Sequence, residues 1–339
     1  MENTEKKVIF KVRDLKQWFP LKRWFFEKKA YVKAVDNVSF DVYEGETLGV
    51  AGESGCGKST LIRSMLRIIE PTSGELEYDG KDFRRVRGKA LKKKRCDMQM
   101  VFQDPYSSLD PFWTVGKTIE EPLIINKMYK TKEERMARVR ELMQQVGLDP
   151  SYVDRYPHEF SGGQRQRIVI ARALATTPKL LMCDEAVSAL DVSVRAQILN
   201  LLEQLQDDLM LTYVFVSHDL SVLEHICDRI MIMYLGKVVE IGTKEDIFHN
   251  ATHPYTKALL SAAPTVDDDL QQEEILLEGD IPSPVKPPVG CRFHTRCPYA
   301  TEKCKEEPPV VDCGNGHLVA CHYVDGLPNR ENECNNALE

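Results

Sequence analysis

The stretch that decides the fold is Gly52-Glu53-Ser54-Gly55-Cys56-Gly57-Lys58-Ser59. It matches G-x-x-x-x-G-K-[ST], the pattern of a phosphate-binding P-loop. The apolar run 47–51 predicts a buried strand before it, and residues 60–66 predict a helix after it. Glycines allow backbone N–H groups to approach phosphate oxygens, and the start of the helix adds its positive dipole end. The stretch therefore predicts an α/β nucleotide-binding fold rather than an ordinary glycine-rich turn.

The polar residues in and after this loop have the chemistry of ATP and Mg²⁺ binding. Lys58 is expected to reach the β- and γ-phosphates, and the Ser59 hydroxyl to bind Mg²⁺. A later apolar strand, 179–183, ends in Asp184 and Glu185. A carboxylate at the end of such a strand suits Mg²⁺ ligation, and the next carboxylate suits polarisation of a water molecule.

A second anion-binding helix start is predicted at residues 161–164, which read Ser-Gly-Gly-Gln. Ser161 is a candidate N-cap, and the first turn of a helix exposes unpaired N–H groups. His218 ends another apolar strand. Its position suits either a structural histidine or a site residue, because open α/β sheets place their sites at strand ends.

Composition limits the classes of function. The 339 residues suggest about two domains, and the net charge of −7 argues against a nucleic-acid-binding protein. No apolar run approaches the roughly 18 residues of a membrane-spanning helix. The N-terminal residues contain no signal-peptide core, which predicts a cytoplasmic protein.

Other segments give coarser predictions. Alternation of apolar and polar residues at 8–12 predicts an edge strand, and the basic run 81–95 predicts a solvated face. Residues 115–160 are charged and helical in pattern, which indicates a helical insertion. The aromatic residues Trp18 and Phe19 suit either a packed hairpin or stacking on a nucleobase.

The order and spacing of these motifs resemble the ATP-binding subunit of an ABC transporter over about residues 8–260. The matching positions are the P-loop, Gln103, Ser161–Gln164, Asp184-Glu185, the loop 188–191 and His218. Two departures are Phe160, where the family commonly has Leu, and Ala186-Val187, where it commonly has Pro followed by Thr or Val. Neither removes a catalytic group.

The resemblance implies an α/β P-loop NTPase core at residues 1–250, with an antiparallel β subdomain and a helical subdomain at about 105–165. It implies Glu185 and His218 as catalytic residues, and Ser59, Gln103 and Asp184 as Mg²⁺ ligands. Three residues, Ser161, Gly163 and Gln164, would bind the ATP held by a partner subunit. The ATP-binding residues that it implies are Phe19, Gly52, Glu53, Ser54, Gly55, Cys56, Gly57, Lys58, Ser59, Thr60, Gln103, Ser161, Gly163 and Gln164.

The C-terminal part is unusually rich in cysteine. Six of the ten cysteines follow residue 290, and such clustering in a cytosolic chain favours metal binding over disulfides. Residues 251–339 resemble the C-terminal extension of oligopeptide, dipeptide and nickel-peptide importer ATPases. The resemblance implies a 4Fe–4S cluster on Cys291, Cys297, Cys304 and Cys321. From the residues alone, zinc and metal-free thiols or disulfides remain alternatives, and Cys313 could replace Cys321 as a ligand.

The function that this resemblance implies is an ATPase that powers peptide import. It implies a head-to-tail heterodimer with a second, similar ATPase subunit, bound to the cytoplasmic face of two membrane permease subunits. An extracytoplasmic substrate-binding protein would be an indirect partner. The apolar segment 107–115 suits docking to a permease or local packing. Alternatives are a DNA- or ribosome-associated ABC ATPase, which the single P-loop disfavours, and an importer of nickel chelates or oligosaccharides.

Overall fold

The computed structural model describes residues 6–21, 30–262 and 275–326. It divides the chain into two compact units, each made of discontinuous segments. The first unit comprises the described residues up to Phe10, with Asp41–Thr47 and Glu77–Ser217. The second unit comprises Lys11–Phe40, Leu48–Leu76 and the described residues from His218 onward.

The strands are β1 (Val8–Leu21), β2 (Ala30–Tyr43), β3 (Thr47–Ala51), β4 (Ser73–Tyr78), β5 (Lys81–Asp82), β6 (Met98–Val101), β7 (Leu180–Asp184), β8 (Thr212–Val216), β9 (Arg229–Tyr234), β10 (Lys237–Thr243), β11 (Val310–Asp312) and β12 (Leu318–Ala320). The α-helices are α1 (Lys58–Met65), α2 (Gly88–Cys96), α3 (Pro105–Ser108), α4 (Val115–Ile125), α5 (Lys132–Gln145), α6 (Gly162–Leu174), α7 (Val192–Leu209), α8 (Leu220–Ile226), α9 (Lys244–Phe248) and α10 (Pro254–Ser261). None of the helices in the described residues combines the length and the apolar character that crossing a membrane requires.

The first unit contains a parallel arrangement in which β7 lies between β6 and β8. Every residue of β7 and β8 is buried, as expected of apolar strands that are covered on both faces. The strand ends are in register, with Val101 opposite Cys183 and Asp184 opposite Val216. Residues that follow β6 and β7 therefore emerge at the same edge.

Helices occupy most of the segment between β6 and β7. Helix α4 packs against α5 and α6, and α6 also contacts α3 and α7. Helix α5 begins with a capping box in which Thr131 and Glu134 each bind the other's backbone N–H. The predicted solvated face at 81–95 is confirmed for α2, because none of its residues is buried.

The second unit combines a mixed sheet with part of an antiparallel hairpin system. Strand β3 is parallel to β9, and β9, β10, β12 and β11 follow in antiparallel pairs. In this unit β1 lies between β2 and β4. The predicted edge strand at 8–12 is therefore wrong, since β1 is longer and has a neighbour on each side.

Candidate active site

The P-loop leaves β3 through three glycines whose backbone only glycine adopts without strain. Gly52, Gly55 and Gly57 have φ of 143°, 79° and 109°. A Cβ on Gly52 would lie 2.2 Å from the carbonyl oxygen of Met233, and one on Gly57 would lie 2.0 Å from that of Ala34. Helix α1 begins directly after Gly57 and has no side-chain cap on its first N–H groups. This helix start is therefore suited to bind an anion.

Lys58 lies inside the loop and is only 5% exposed. Its ammonium donates hydrogen bonds to the carbonyl oxygens of Gly52 at 2.7 Å and Glu53 at 3.2 Å. The neighbouring Cys56 is buried, and burial raises the pKa of its thiol. Lys58 thus presents a fixed positive charge to the loop, beside a thiol that remains protonated. Ser59 and Thr60, in the first turn of α1, are half-buried.

A carboxylate pair lies at the C-terminal end of β7, in the first unit. Asp184 is the last residue of the strand and is 1% exposed, whereas Glu185 follows it and is half-buried. The Glu185 carboxylate accepts a hydrogen bond of 2.7 Å from the amide nitrogen of Gln103, which follows β6. The structure therefore brings together two predicted site residues that are far apart in sequence.

The backbone at Glu185 is in the left-handed region, with φ of 50°. This conformation is uncommon for residues other than glycine. The N–H of Glu185 donates to Val216 in β8 at 3.0 Å, and its carbonyl accepts from the Ser188 hydroxyl at 2.9 Å. Contacts with the neighbouring strand and the following turn thus hold the residue in this conformation.

The predicted N-cap of α6 is confirmed. The hydroxyl of Ser161 accepts from the N–H of Gln164 at 3.3 Å, and the Gln164 side-chain oxygen accepts from the N–H of Ser161 at 3.0 Å. Gly163 lies between them in sequence, and a Cβ there would be 2.3 Å from Val194 in α7. The glycine is thus required by helix packing as well as being available for phosphate binding.

Two predicted site residues remain, one in β1 and one after β8. His218 is exposed and lies between β8 and α8, and Phe19 is half-buried in β1. Trp18 donates from its indole nitrogen to Asp36 at 3.0 Å, so its ring is held by the sheet. The roles of Phe19 and His218 stay predictions.

Four of the cysteines face one small cavity in the second unit. Its volume is about 10 Å³, and its lining includes Cys291, Cys297, Cys304 and Cys321 together with His253, His294 and His322. Cys313 is exposed and does not line it. Cys334 lies outside the described residues.

Burial favours the protonated form of three of these thiols. Burial raises the pKa of Cys291 to about 11 and that of Cys297 to about 12, and it also raises the pKa of Cys321. Backbone N–H groups point at these sulfurs; that of Tyr323 lies 3.4 Å from Cys321. The predicted metal-binding extension is not confirmed, since no group of three or more His, Cys, Asp or Glu among the described residues has the geometry to hold a metal ion.

Two residues without a sequence-based role contact the P-loop. Arg296 donates to the carboxylate of Glu53 at 2.9 and 3.2 Å, and the phenol oxygen of Tyr255 accepts from the Glu53 N–H at 2.9 Å. The side chain of Glu53 is therefore directed at the cysteine-rich segment. No motif signals these contacts, because Arg296 follows Glu53 by 243 positions.

Comparisons with known proteins agree with this geometry. The family model of ABC transporters matches residues 35–188, and that of the oligopeptide/dipeptide transporter C-terminal region matches residues 239–304. The dipeptide transport ATP-binding protein DppF of Haemophilus influenzae is 54% identical over 92% of this chain and 95% of its own. The chain belongs to the ATP-binding subunits of oligopeptide and dipeptide ABC transporters.

Other members of this family are similarly close. The oligopeptide transport ATP-binding protein AppF of Bacillus subtilis is 50% identical over 95% of this chain and 99% of its own. Among solved structures, a dimeric ATP-binding cassette in a post-hydrolysis state with ADP and phosphate has a TM-score of 0.61 and 31% identity. It covers 69% of this chain and 98% of its own. The predicted ABC ATPase fold and ATP hydrolysis are confirmed.

Proposed function

We propose that this chain binds and hydrolyses ATP to power the import of dipeptides or oligopeptides through an ABC transporter. The main support for this function is a complete P-loop with a buried Lys58, in a chain whose C-terminal region matches the family model of the oligopeptide/dipeptide transporter C-terminal region. The relatives are dipeptide and oligopeptide transport proteins, which supports a peptide substrate. A DNA- or ribosome-associated ATPase, or an importer of nickel chelates or oligosaccharides, is less well supported.

The chain supplies suitable groups for Mg²⁺ and for the attacking water. A hydroxyl and a buried carboxylate, Ser59 and Asp184, are oxygen ligands of the kind that Mg²⁺ prefers, and Gln103 is the third proposed ligand. Bound Mg²⁺ would neutralise charge on the β- and γ-phosphates. We assign Glu185 to orient or deprotonate the water and His218 to contact the γ-phosphate. The hydrogen bond from Gln103 fixes one oxygen of Glu185.

The assembly that we infer is a head-to-tail pair with a second ATPase subunit, on the cytoplasmic face of two permease subunits. An extracytoplasmic binding protein would deliver the peptide. Residues 1–250 would form the nucleotide-binding domain and 251–339 the extension, with Phe19 against the adenine. Phe112, which is 87% exposed within the segment 107–115, supports a permease contact there.

Glu185→Gln tests the assignment of the catalytic base. The amide oxygen can still accept the hydrogen bond from Gln103, so the fold and ATP binding should persist. Hydrolysis should fall by a factor of about 10² or more, the range for removing a general base. Glu302→Gln, at an exposed glutamate that pairs with Lys305, is the matched control. Near-normal steady-state turnover of Glu185→Gln would reject the assignment.

We also propose that the cysteine cavity holds a 4Fe–4S cluster. Four thiols around one cavity, with N–H groups directed at sulfur, have the donor chemistry of such clusters. The sequence spacing favours the cluster over zinc, because these cysteines lack the paired C-x₂-C of most zinc ribbons. The step Cys297-Pro298 also matches the Cys-Pro step of ferredoxin-type cluster runs.

The cluster proposal has a spectroscopic test. Protein purified without oxygen should absorb at about 400 nm and contain about four iron atoms per chain. Cys321→Ser should lose the absorption, whereas Cys313→Ser should retain it because Cys313 lies away from the cavity. Colourless protein with one zinc per chain would contradict the proposal.

A further inference from the structure

The loop between Cys291 and Cys297 contacts the P-loop through a charged pair. Arg296 and Glu53 are joined by hydrogen bonds of 2.9 and 3.2 Å, and their side chains are only 9% and 23% exposed. Tyr234 extends this contact, since its hydroxyl lies 3.5 Å from the same guanidinium nitrogen.

A cluster of aromatic rings fixes both ends of this contact. Tyr255 is fully buried and binds the N–H of Glu53, and its ring lies 4.7 Å from that of Tyr234. Phe293, from the cysteine loop itself, lies 5.3 Å from Tyr234 and 5.2 Å from Tyr255. The backbone of Glu53 and the loop that carries Arg296 therefore pack on the same three rings.

The electrostatics of the P-loop explain why this contact matters. The loop gathers N–H groups and Lys58 to bind the negative phosphates of ATP, yet its second residue is a glutamate. An unpaired carboxylate beside a phosphate site repels the ligand, and the repulsion is strong where water is partly excluded. One guanidinium nitrogen of Arg296 donates to both carboxylate oxygens of Glu53, and its positive charge offsets that repulsion.

We propose that Arg296 is a positioning residue for ATP binding, which neutralises Glu53 and holds the P-loop to the cysteine loop. The inference rests on the proposed ATP site but not on the identity of the metal. Because Arg296 directly precedes Cys297, whatever holds the four thiols in place also holds this contact. The cysteine loop thereby sets the affinity of the nucleotide site.

The test measures ATP binding and turnover separately. Arg296→Gln should weaken ATP binding by about tenfold and raise KM similarly, with kcat at saturating ATP within about twofold of wild type. Arg296→Lys should recover most of the affinity because the positive charge is kept. Lys305→Gln, which removes an exposed cation of the same extension, should leave affinity unchanged.

A double-mutant cycle identifies the partner of Arg296. Once Glu53→Gln has removed the carboxylate, adding Arg296→Gln should change ATP affinity by less than about twofold. The inference would be overturned if the effects of Arg296→Gln and Glu53→Gln on ATP affinity were fully additive. It would also be overturned if Arg296→Gln bound ATP as tightly as Lys305→Gln does. Loss of affinity that Arg296→Lys fails to recover, with a matching fall in melting temperature, would also overturn it by indicating a purely structural role.

Further measurements distinguish failure of this inference from failure of the proposed ATPase function or of the proposed cluster. Wild-type protein that does not bind ATP would reject the proposed function itself. Cys304→Ser should weaken ATP binding in the wild-type background by several-fold, and much less in the Arg296→Gln background, since the contact is already lost there. Equal weakening in both backgrounds would overturn the coupling. Absorption at about 400 nm reports the cluster independently, and Arg296→Gln should retain it.

Discussion

Glu240 is a fully buried carboxylate that, among the described residues, accepts hydrogen bonds from three donors. The N–H groups of Thr252 and His253 donate to it at 2.8 and 3.1 Å, and Nε2 of His317 lies 2.8 Å from it. His317 is 5% exposed and directly precedes β12, whereas Glu240 lies in β10. The pair therefore joins two neighbouring strands of the second unit.

This pair makes stability depend on pH in a definite direction. The hydrogen bond to Glu240 raises the pKa of His317, with smaller contributions from Asp246 and Asp312, while burial opposes the shift. Since the folded-state pKa lies above the unfolded value of about 6.5, the contribution to stability is complete below that value. It is lost as the pH rises through the folded-state pKa.

His317→Gln should therefore destabilise the protein more at pH 6 than at pH 9. The expected loss at pH 6 is about 1–3 kcal/mol, because a buried carboxylate loses one charged donor but keeps two N–H donors. Thermal or urea unfolding at both pH values measures it. His249→Gln is the control, as His249 lies in an exposed pair with Glu245. A destabilisation by His317→Gln that does not vary with pH would contradict the argument.

At the scale of elements, two helix starts show what local sequence determines. The P-loop could be predicted because its turns need positive φ angles, which favour glycine. The structure has φ of 143° at Gly52 and 109° at Gly57. The start of α6 could be predicted because the Ser161–Gln164 capping box involves residues three positions apart. Both features give a local pattern that a single sequence contains, whereas the close approach of Met233 to Gly52 and of Ala34 to Gly57 comes from the fold.

Contacts between distant residues could not be predicted in this way. Nothing local indicates that Gly163 must also accommodate Val194. The pairing of Arg296 with Glu53 has no sequence period to signal it, and neither does the position of β1 between two strands. The choice between Cys313 and Cys321 likewise depended on which thiol reaches the cavity. Tertiary packing decides each of these.

At the scale of the whole molecule, the helix start at Ser161–Gln164 has a different expected task from the P-loop. The resemblance implies that it binds the ATP held by the partner subunit. Disrupting this helix start should therefore weaken pairing of the two subunits and leave ATP binding by this chain unchanged. Gln164→Glu is a suitable change, because a glutamate oxygen can still accept from the N–H of Ser161 and preserve the cap. The new negative charge would repel the γ-phosphate of the partner's ATP.

We therefore expect Gln164→Glu, made together with Glu185→Gln, to abolish ATP-dependent pairing with the second ATPase subunit. Light scattering of the mixture with Mg²⁺ and ATP should detect the pair for Glu185→Gln alone and its loss for the double variant. The isolated double variant should bind ATP within about twofold of Glu185→Gln, because its P-loop is unchanged. Gln144→Glu, at an exposed residue of α5, is the matched control for an added charge and should permit pairing. If Gln164→Glu instead weakens ATP binding by the isolated chain, the helix start at Ser161–Gln164 contacts this chain's own nucleotide. The head-to-tail arrangement would then be wrong.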